Sequence, residues 1–357
     1  MNKNLILLII VATVTVPESS LADITIYGKT HVSIDWFKIK DKSREDEYKG
    51  WTLNKGKVGK GSRRDNRLGV KGSENLVGGL KAIYQVEFGI PVANERDYDI
   101  NNGEQGGLKM RNSFIGLKGS FGTFLVGRHD TPLKSSTRKL KMFNNTIADY
   151  KGAPGFNDIR ADSTIAYITP RFGGFQFSAA TIPGSSSTLG GTKNHKSDSL
   201  AEGYSLAATY RNSPWYASTA YEVLTDQFSK DPGDFNTVDY KKWRVGLGIQ
   251  DLDGFYLSTI YENQKAINFQ AIKNGKDNDA DVWQIQIGYT FGNRMIKGMY
   301  GKNKLDVGDE IQSWAFGFDH NFRKRTKVYI LYTNVDVGKN HNEGGWKGFS
   351  FGMIHNF

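Results

Sequence analysis

Bulky residues fall at every second position at the end of the chain. Phe349, Phe351, Met353, His355 and Phe357 alternate with Ser350, Gly352 and Asn356, and Ile354 is the one apolar exception. A period of two predicts a β-strand with two unlike faces. Residues 283–291 (WQIQIGYTF) and 314–322 repeat the pattern, as do residues 80–88, where Lys81, Gln85 and Glu87 make the polar face. Strand candidates recur from Asp23 to the end. They are joined alternately by tight turns rich in Gly, Pro, Asn and Asp and by long polar segments. The turns lie near 74–78, 119–122, 170–173, 211–214, 250–254, 291–293 and 321–325. The long segments cover 38–64, 91–108, 129–161, 182–200, 224–239, 264–280, 303–309 and 336–345.

An apolar strand face must be covered. In a closed barrel inside a bilayer, lipid covers it and neighbouring strands satisfy the backbone. Eight steps from Phe349 to Phe357 span roughly 26 Å. At a tilt of about 40° this rises roughly 20 Å, close to the apolar band of such barrels. The spacing predicts an all-β fold: a transmembrane antiparallel β-barrel of about sixteen strands, with both ends on the short-turn side. A barrel of that size encloses an aqueous lumen.

Composition supports this picture. Aromatic residues make up 13% of the chain, and 41 of its 357 residues are Gly. No internal apolar run is long enough for a membrane helix. There is no cysteine, which removes thiol catalysis and Cys-ligated metals. Residues 1–22 read as a cleaved signal peptide: Lys3, an apolar stretch over 5–16, then Ser20-Leu21-Ala22 as the cleavage site. Residues 23–357 then form a single barrel domain. The formal net charge of +10 is spread along the chain without a nucleic-acid motif, so anionic solutes or an anionic membrane surface are the expected partners.

Residues 26–29 (IYGK), 66–72 (NRLGVKG), 111–119 (RNSFIGLKG) and 124–128 (FLVGR), with the terminal Phe357, resemble the trimeric general porins of Gram-negative outer membranes. The resemblance covers the chain from Asp23 on. It implies a homotrimer of sixteen-stranded barrels in the outer membrane, passing small hydrophilic solutes by diffusion. It also implies that the third long loop, 129–161, folds into the lumen. Basic wall residues would face acids on that loop: the matching wall positions are Lys29, Arg67 and Arg111, with Arg160 a fourth, and the loop acids are Asp149 and Asp158. Glu95, Asp97 or Asp99 on the second long loop would reach Arg128 of a neighbouring subunit. Phe357 would be the signal read by the barrel-assembly machinery, with His355 where the family tends to carry Tyr. Lipopolysaccharide is the expected outer partner.

Strand parity agrees with the wall assignment. Lys29 opposes Ile24 and Ile26, and Arg67 opposes Leu68 and Val70; a cation facing lipid at mid-membrane would cost about 2–4 kcal/mol. The third loop departs from a balanced pattern. Lys134, Arg138, Lys139, Lys141, Lys151 and Arg160 stand against Asp130, Asp149 and Asp158, six bases to three acids. The expectation is a weak to moderate anion preference, the alternative a channel selective for phosphate or organic anions. A barrel enzyme or an adhesin is a more distant alternative.

No cofactor is implied. Ser350 sits in a G-x-S-x-G string, but within an alternating strand rather than the strained strand–helix corner a nucleophile needs. Asp277, Asp279 and Asp281 open like a calcium loop, but Val282 and Gly288 stand where that loop needs Gly and Glu. The six histidines lack ligand spacing.

Overall fold

The computed structural model describes residues 23–41, 46–54, 65–90, 92, 108–149, 155–156, 158–183, 199–224, 240–265, 279–305, 310–338 and 344–357. The segment read as a signal peptide lies outside them. The first half of the sheet comprises β1 (Asp23–Asp41), β2 (Asp46–Leu53), β3 (Arg67–Asn75), β4 (Lys81–Gly89), β5 (Lys109–Met110), β6 (Ser113–Gly119), β7 (Gly122–Asp130), β8 (Arg160–Ile168) and β9 (Phe175–Ile182). The second half comprises β10 (Gly203–Asn212), β11 (Trp215–Leu224), β12 (Tyr240–Leu252), β13 (Phe255–Lys265), β14 (Ala280–Phe291), β15 (Arg294–Leu305), β16 (Glu310–Arg323), β17 (Thr326–Val337) and β18 (Trp346–Asn356).

These segments make sixteen staves. β2 and β3 pair the upper and lower parts of β1 and are two halves of one stave. β5 and β6 both lie on β4, interrupted at Arg111 and Asn112. Consecutive staves are antiparallel. The ring closes where β1 pairs β18, from Lys29 against Asn356 to Ile39 against Trp346.

The faces follow the sequence pattern. On β14, Ile285 and Ile287 are 43% and 51% exposed in the isolated chain, while Gln284 and Gln286 between them are 1% and 3% exposed. The outward set is the surface that lipid covers. The short turns fall where the sequence puts them. Between β12 and β13, Asp253 and Gly254 both take positive φ, 50° and 84°, as a two-residue hairpin requires.

One expectation needs correcting. Residues 38–64 do not form one loop, because β1 continues to Asp41 and pairs β2 through eight residues, Ile34–Leu53 to Asp41–Asp46. The hairpin carries charges such as the Lys38–Glu47 pair at 2.6 Å. A strand that rises beyond the lipid needs no apolar face, so its polarity mimics a loop.

The chain seals itself at Gly28. The Phe357 N–H donates to Gly28 O at 3.1 Å, and the Gly28 N–H to Phe357 O at 3.0 Å. The Phe357 ring lies over Gly28, where a Cβ would come within 2.3 Å of the ring and 2.8 Å of Arg67 O. The variant Gly28→Val should therefore disturb the seam by about 1–3 kcal/mol of overpacking. A lower yield of heat-modifiable folded barrel on cold SDS gels checks this, and an unchanged yield refutes it.

The third loop occupies the lumen. After β7, Thr131 caps a short helix, α1 (Pro132–Ser136), and a 3₁₀ turn follows over Arg138–Leu140. Leu133 packs on Ala207 and Ala220. Leu140 joins Tyr216, Ile260 and Val282. Phe143 and Ile147 join Phe37, Ala315, Tyr329 and Trp346. The loop thus follows the inner wall from β10 to β18 and reaches β1. Inward-facing glycines make room for it. A Cβ on Gly246 or Gly248 would lie 2.5 Å from Leu140, one on Gly317 3.1 Å from Phe143, and one on Gly348 3.0 Å from Ile147.

Candidate functional site: the lumen constriction

Between the loop and the opposite wall stand the basic residues expected from the sequence. Register places Lys29 beside Arg67 on adjacent strands. Like charges side by side repel, and two wall acids answer them. Glu87 accepts from Tyr27 Oη at 2.9 Å and from Arg111 Nε at 2.7 Å, with Arg67 Nε at 3.7 Å. Asp65 pairs with Arg67 at 2.7 Å and Arg111 at 2.5 Å. The amide of Asn145, from the third loop, donates to Asp65 at 3.3 Å. Asp65 therefore joins wall and loop.

A second cluster sits at the root of the loop. Asp130, the last residue of β7, holds Lys134 at 2.7 Å, Arg138 at 2.8 Å and Arg160 at 3.0 Å. Arg160 also donates to Asn112 Oδ1 at 2.7 Å. The Arg138 side chain remains 56% exposed to the lumen.

Lys29, Arg67, Arg111 and Arg160 are brought together, but the two loop acids expected opposite them have other positions. Asp149 is buried and accepts from the Asn145 N–H, tying a turn of the loop to itself. Asp158 is buried between Lys141 and Arg244, each at 2.8 Å. Burial alone would raise the Asp158 carboxyl, but Lys141 and Arg244 outweigh it and hold it well below the usual carboxylate range. Both acids fold the loop instead of facing solute. Arg244, fully buried, also meets Glu262 at 2.5 Å and Thr137 Oγ1 at 3.0 Å, with Phe156 under its guanidinium. A further tie joins Lys297 to Asp319 at 2.9 Å and to Met142 O at 2.8 Å.

Asp65, Glu87 and Arg244 join these clusters without having been singled out in the sequence, and Asp130, counted there among the loop acids, was not expected to hold the basic cluster. Parity marks Glu87 and Arg244 as lumen-facing, yet gives neither their level nor their partners. Arg128 lies at a bulge beside Gly127, donates to Met110 O at 3.0 Å and pairs with Asp162 of its own chain. Glu95, Asp97 and Asp99 lie outside the described residues. Ser350 donates to buried Asp35 at 2.5 Å within the ladder. Asp281 accepts from Tyr261 and Asn263, and Asp277 lies outside the described residues.

Known proteins share this fold. The sequence profile of the family described as Gram-negative porin matches residues 8–340. The major outer membrane protein P.IB of Neisseria meningitidis serogroup A is 27% identical, and the alignment covers 100% of both chains. Among solved structures, the anion-selective porin from Comamonas acidovorans superposes with a TM-score of 0.67 at 20% identity, covering 94% of this chain and 100% of that one. The trimer form of in-vitro folded OmpT from Vibrio cholerae gives 0.60 at 15% identity, covering 94% and 99%. A closed sixteen-stave barrel, a loop laid inside it and a lumen lined by clustered charges, together with a profile match across most of the sequence, make one case: the chain belongs to the Gram-negative porin family and is an outer-membrane channel through which small hydrophilic solutes diffuse.

Proposed function

We propose that this porin works as a homotrimer whose constriction favours anions over cations. The supporting observation is the charge balance at the narrow level. Lys29, Arg67, Arg111, Arg160, Lys134 and Arg138 stand against Asp65, Glu87 and Asp130. Each surplus cation within about 4 Å of a passing ion contributes about 1 kcal/mol even at the dielectric of water. A surplus of three charges gives a several-fold bias, focused further by the low-dielectric wall. The mechanism is size exclusion in a transverse field, with no catalytic cycle. The anion-selective structural neighbour agrees with the sign, and the trimeric neighbour with the assembly.

In this reading, Arg128 stands on the outer surface, where loop-two acids of a neighbour could join its pair with Asp162. Phe357 serves as the handle for barrel assembly, and the exposed loops meet lipopolysaccharide. The zero-current potential of purified protein in a planar bilayer under a KCl gradient tests the selectivity. A chloride-favouring sign is expected, and a potassium-favouring sign overturns the reading.

A further inference from the structure

A cleft of about 350 Å³ opens at the short-turn end, away from the constriction. It lies between the 3₁₀ turn of the third loop and the hairpins that join β10 to β11 and β12 to β13. Lys139, Arg211, Ser213, Trp215, Gln250, Asp251 and Tyr256 line it. Its size falls at the lower end of the range for small-molecule sites.

Its cations differ from others on the loop. Lys134 and Arg138 rest on Asp130, and Lys141 rests on Asp158. Among the described residues, neither Lys139 nor Arg211 has a carboxylate within 4.0 Å. The one acid among the residues lining the cleft, Asp251, stands beside Tyr256. Gln250 donates its amide to Lys139 O at 2.8 Å, fixing the loop backbone to the wall here. The two cations therefore flank the Tyr256 ring from the loop and the wall, while Trp215, one residue before lumen-facing Tyr216, carries its ring to the outer face. Cations recognise a carboxylate by charge-assisted hydrogen bonds, while Tyr offers a flat apolar surface to a ring.

We propose that this cleft binds a small aromatic carboxylate. Its carboxylate would lie between Lys139 and Arg211 and its ring against Tyr256. Because Lys139 belongs to the third loop, an occupant would clamp the loop to the wall below the constriction and impede flow. This site is separate from the constriction charges and does not depend on their selectivity.

The test uses purified full-length protein in planar bilayers, with 4-hydroxybenzoate added to one side at a time. A saturable conductance decrease is expected from the short-turn side. Acetate at equal concentration, with the charge but no ring, should give none. Lys139→Gln and Arg211→Gln should each raise the half-block concentration about tenfold or more, as loss of one charge-assisted bond implies. Arg211→Lys should retain most of the block. Arg138→Gln, at the constriction, should alter conductance but leave the half-block concentration in place. Equal block by acetate, absence of block, or half-block concentrations unmoved by both Gln variants would overturn the proposal.

Discussion

Arg244→Met is expected to release the third loop from the wall while leaving the barrel assembled. The substitution strands Asp158 and Glu262, both buried, without their common cation. Removing one partner of a buried ion pair costs about 3–5 kcal/mol, because the other charge remains desolvated. The ladder hydrogen bonds of the staves do not involve this side chain, so the loss falls on the loop. Single-channel records should show frequent closures and variable conductance, and limited proteolysis should cut within 131–159. A steady wild-type trace would refute the anchoring role. Protonating Asp158 should mimic the variant only in strong acid. Its folded pKa is depressed, so its contribution is present above the unfolded value of about 3.9 and fades as pH falls through the lower folded value. Between about pH 7 and pH 5 this anchor should hold.

The second large effect concerns selectivity. In the double variant Arg67→Glu, Arg111→Glu, six cations against three acids become four against five. The sign of the zero-current potential should reverse toward cations. The companion variant Asp65→Asn, Glu87→Gln removes the two acids that the arginines embrace and should strengthen the anion preference. The pair of results separates a field set by net charge from one set by a single residue. If both variants keep the wild-type potential, these wall residues do not line the conducting path. Neutralising Asp65 also replaces the charged acceptor of Asn145 by a weaker neutral amide oxygen, so its current noise should rise more than that of Glu87→Gln alone.

The barrel was legible in the sequence because lipid imposes a rule on every membrane-spanning strand: apolar outward, anything polar inward. That rule reads out Phe351 and Met353 against Ser350 and Gly352 without knowing any neighbour. It fails for residues 46–53, which leave the lipid and lose the rule with it. It also places Lys29 and Arg67 in the lumen by parity, whereas Arg111 shares its parity with outward Ile115 and Leu117 and turns inward only because the strand is interrupted at Arg111 and Asn112. Parity does not give height along the barrel, and it says nothing of a loop. Asp149 and Asp158 looked like solute-facing acids because their charges were visible and their partners were not. One partner of Asp158, Lys141, lies on the same loop, but the other, Arg244, lies five staves on from the loop root, on β12, and only folding brings them together. Asp65 was hidden for the opposite reason. It sits at the end of a polar stretch, before β3, with nothing local to distinguish it from its neighbours.

The inward glycines Gly246, Gly248, Gly317 and Gly348 carry a consequence for how the bore can be tuned. The calibre of this channel depends as much on atoms the wall lacks as on those the loop supplies. Each missing Cβ is a notch that lets the loop sink toward the wall. Filling one notch would lift the overlying segment toward the opposite side without altering a loop residue or a charge. Graded substitutions along these four positions thus form a set of mechanical shims, able to narrow the passage step by step while its electrostatic character stays constant.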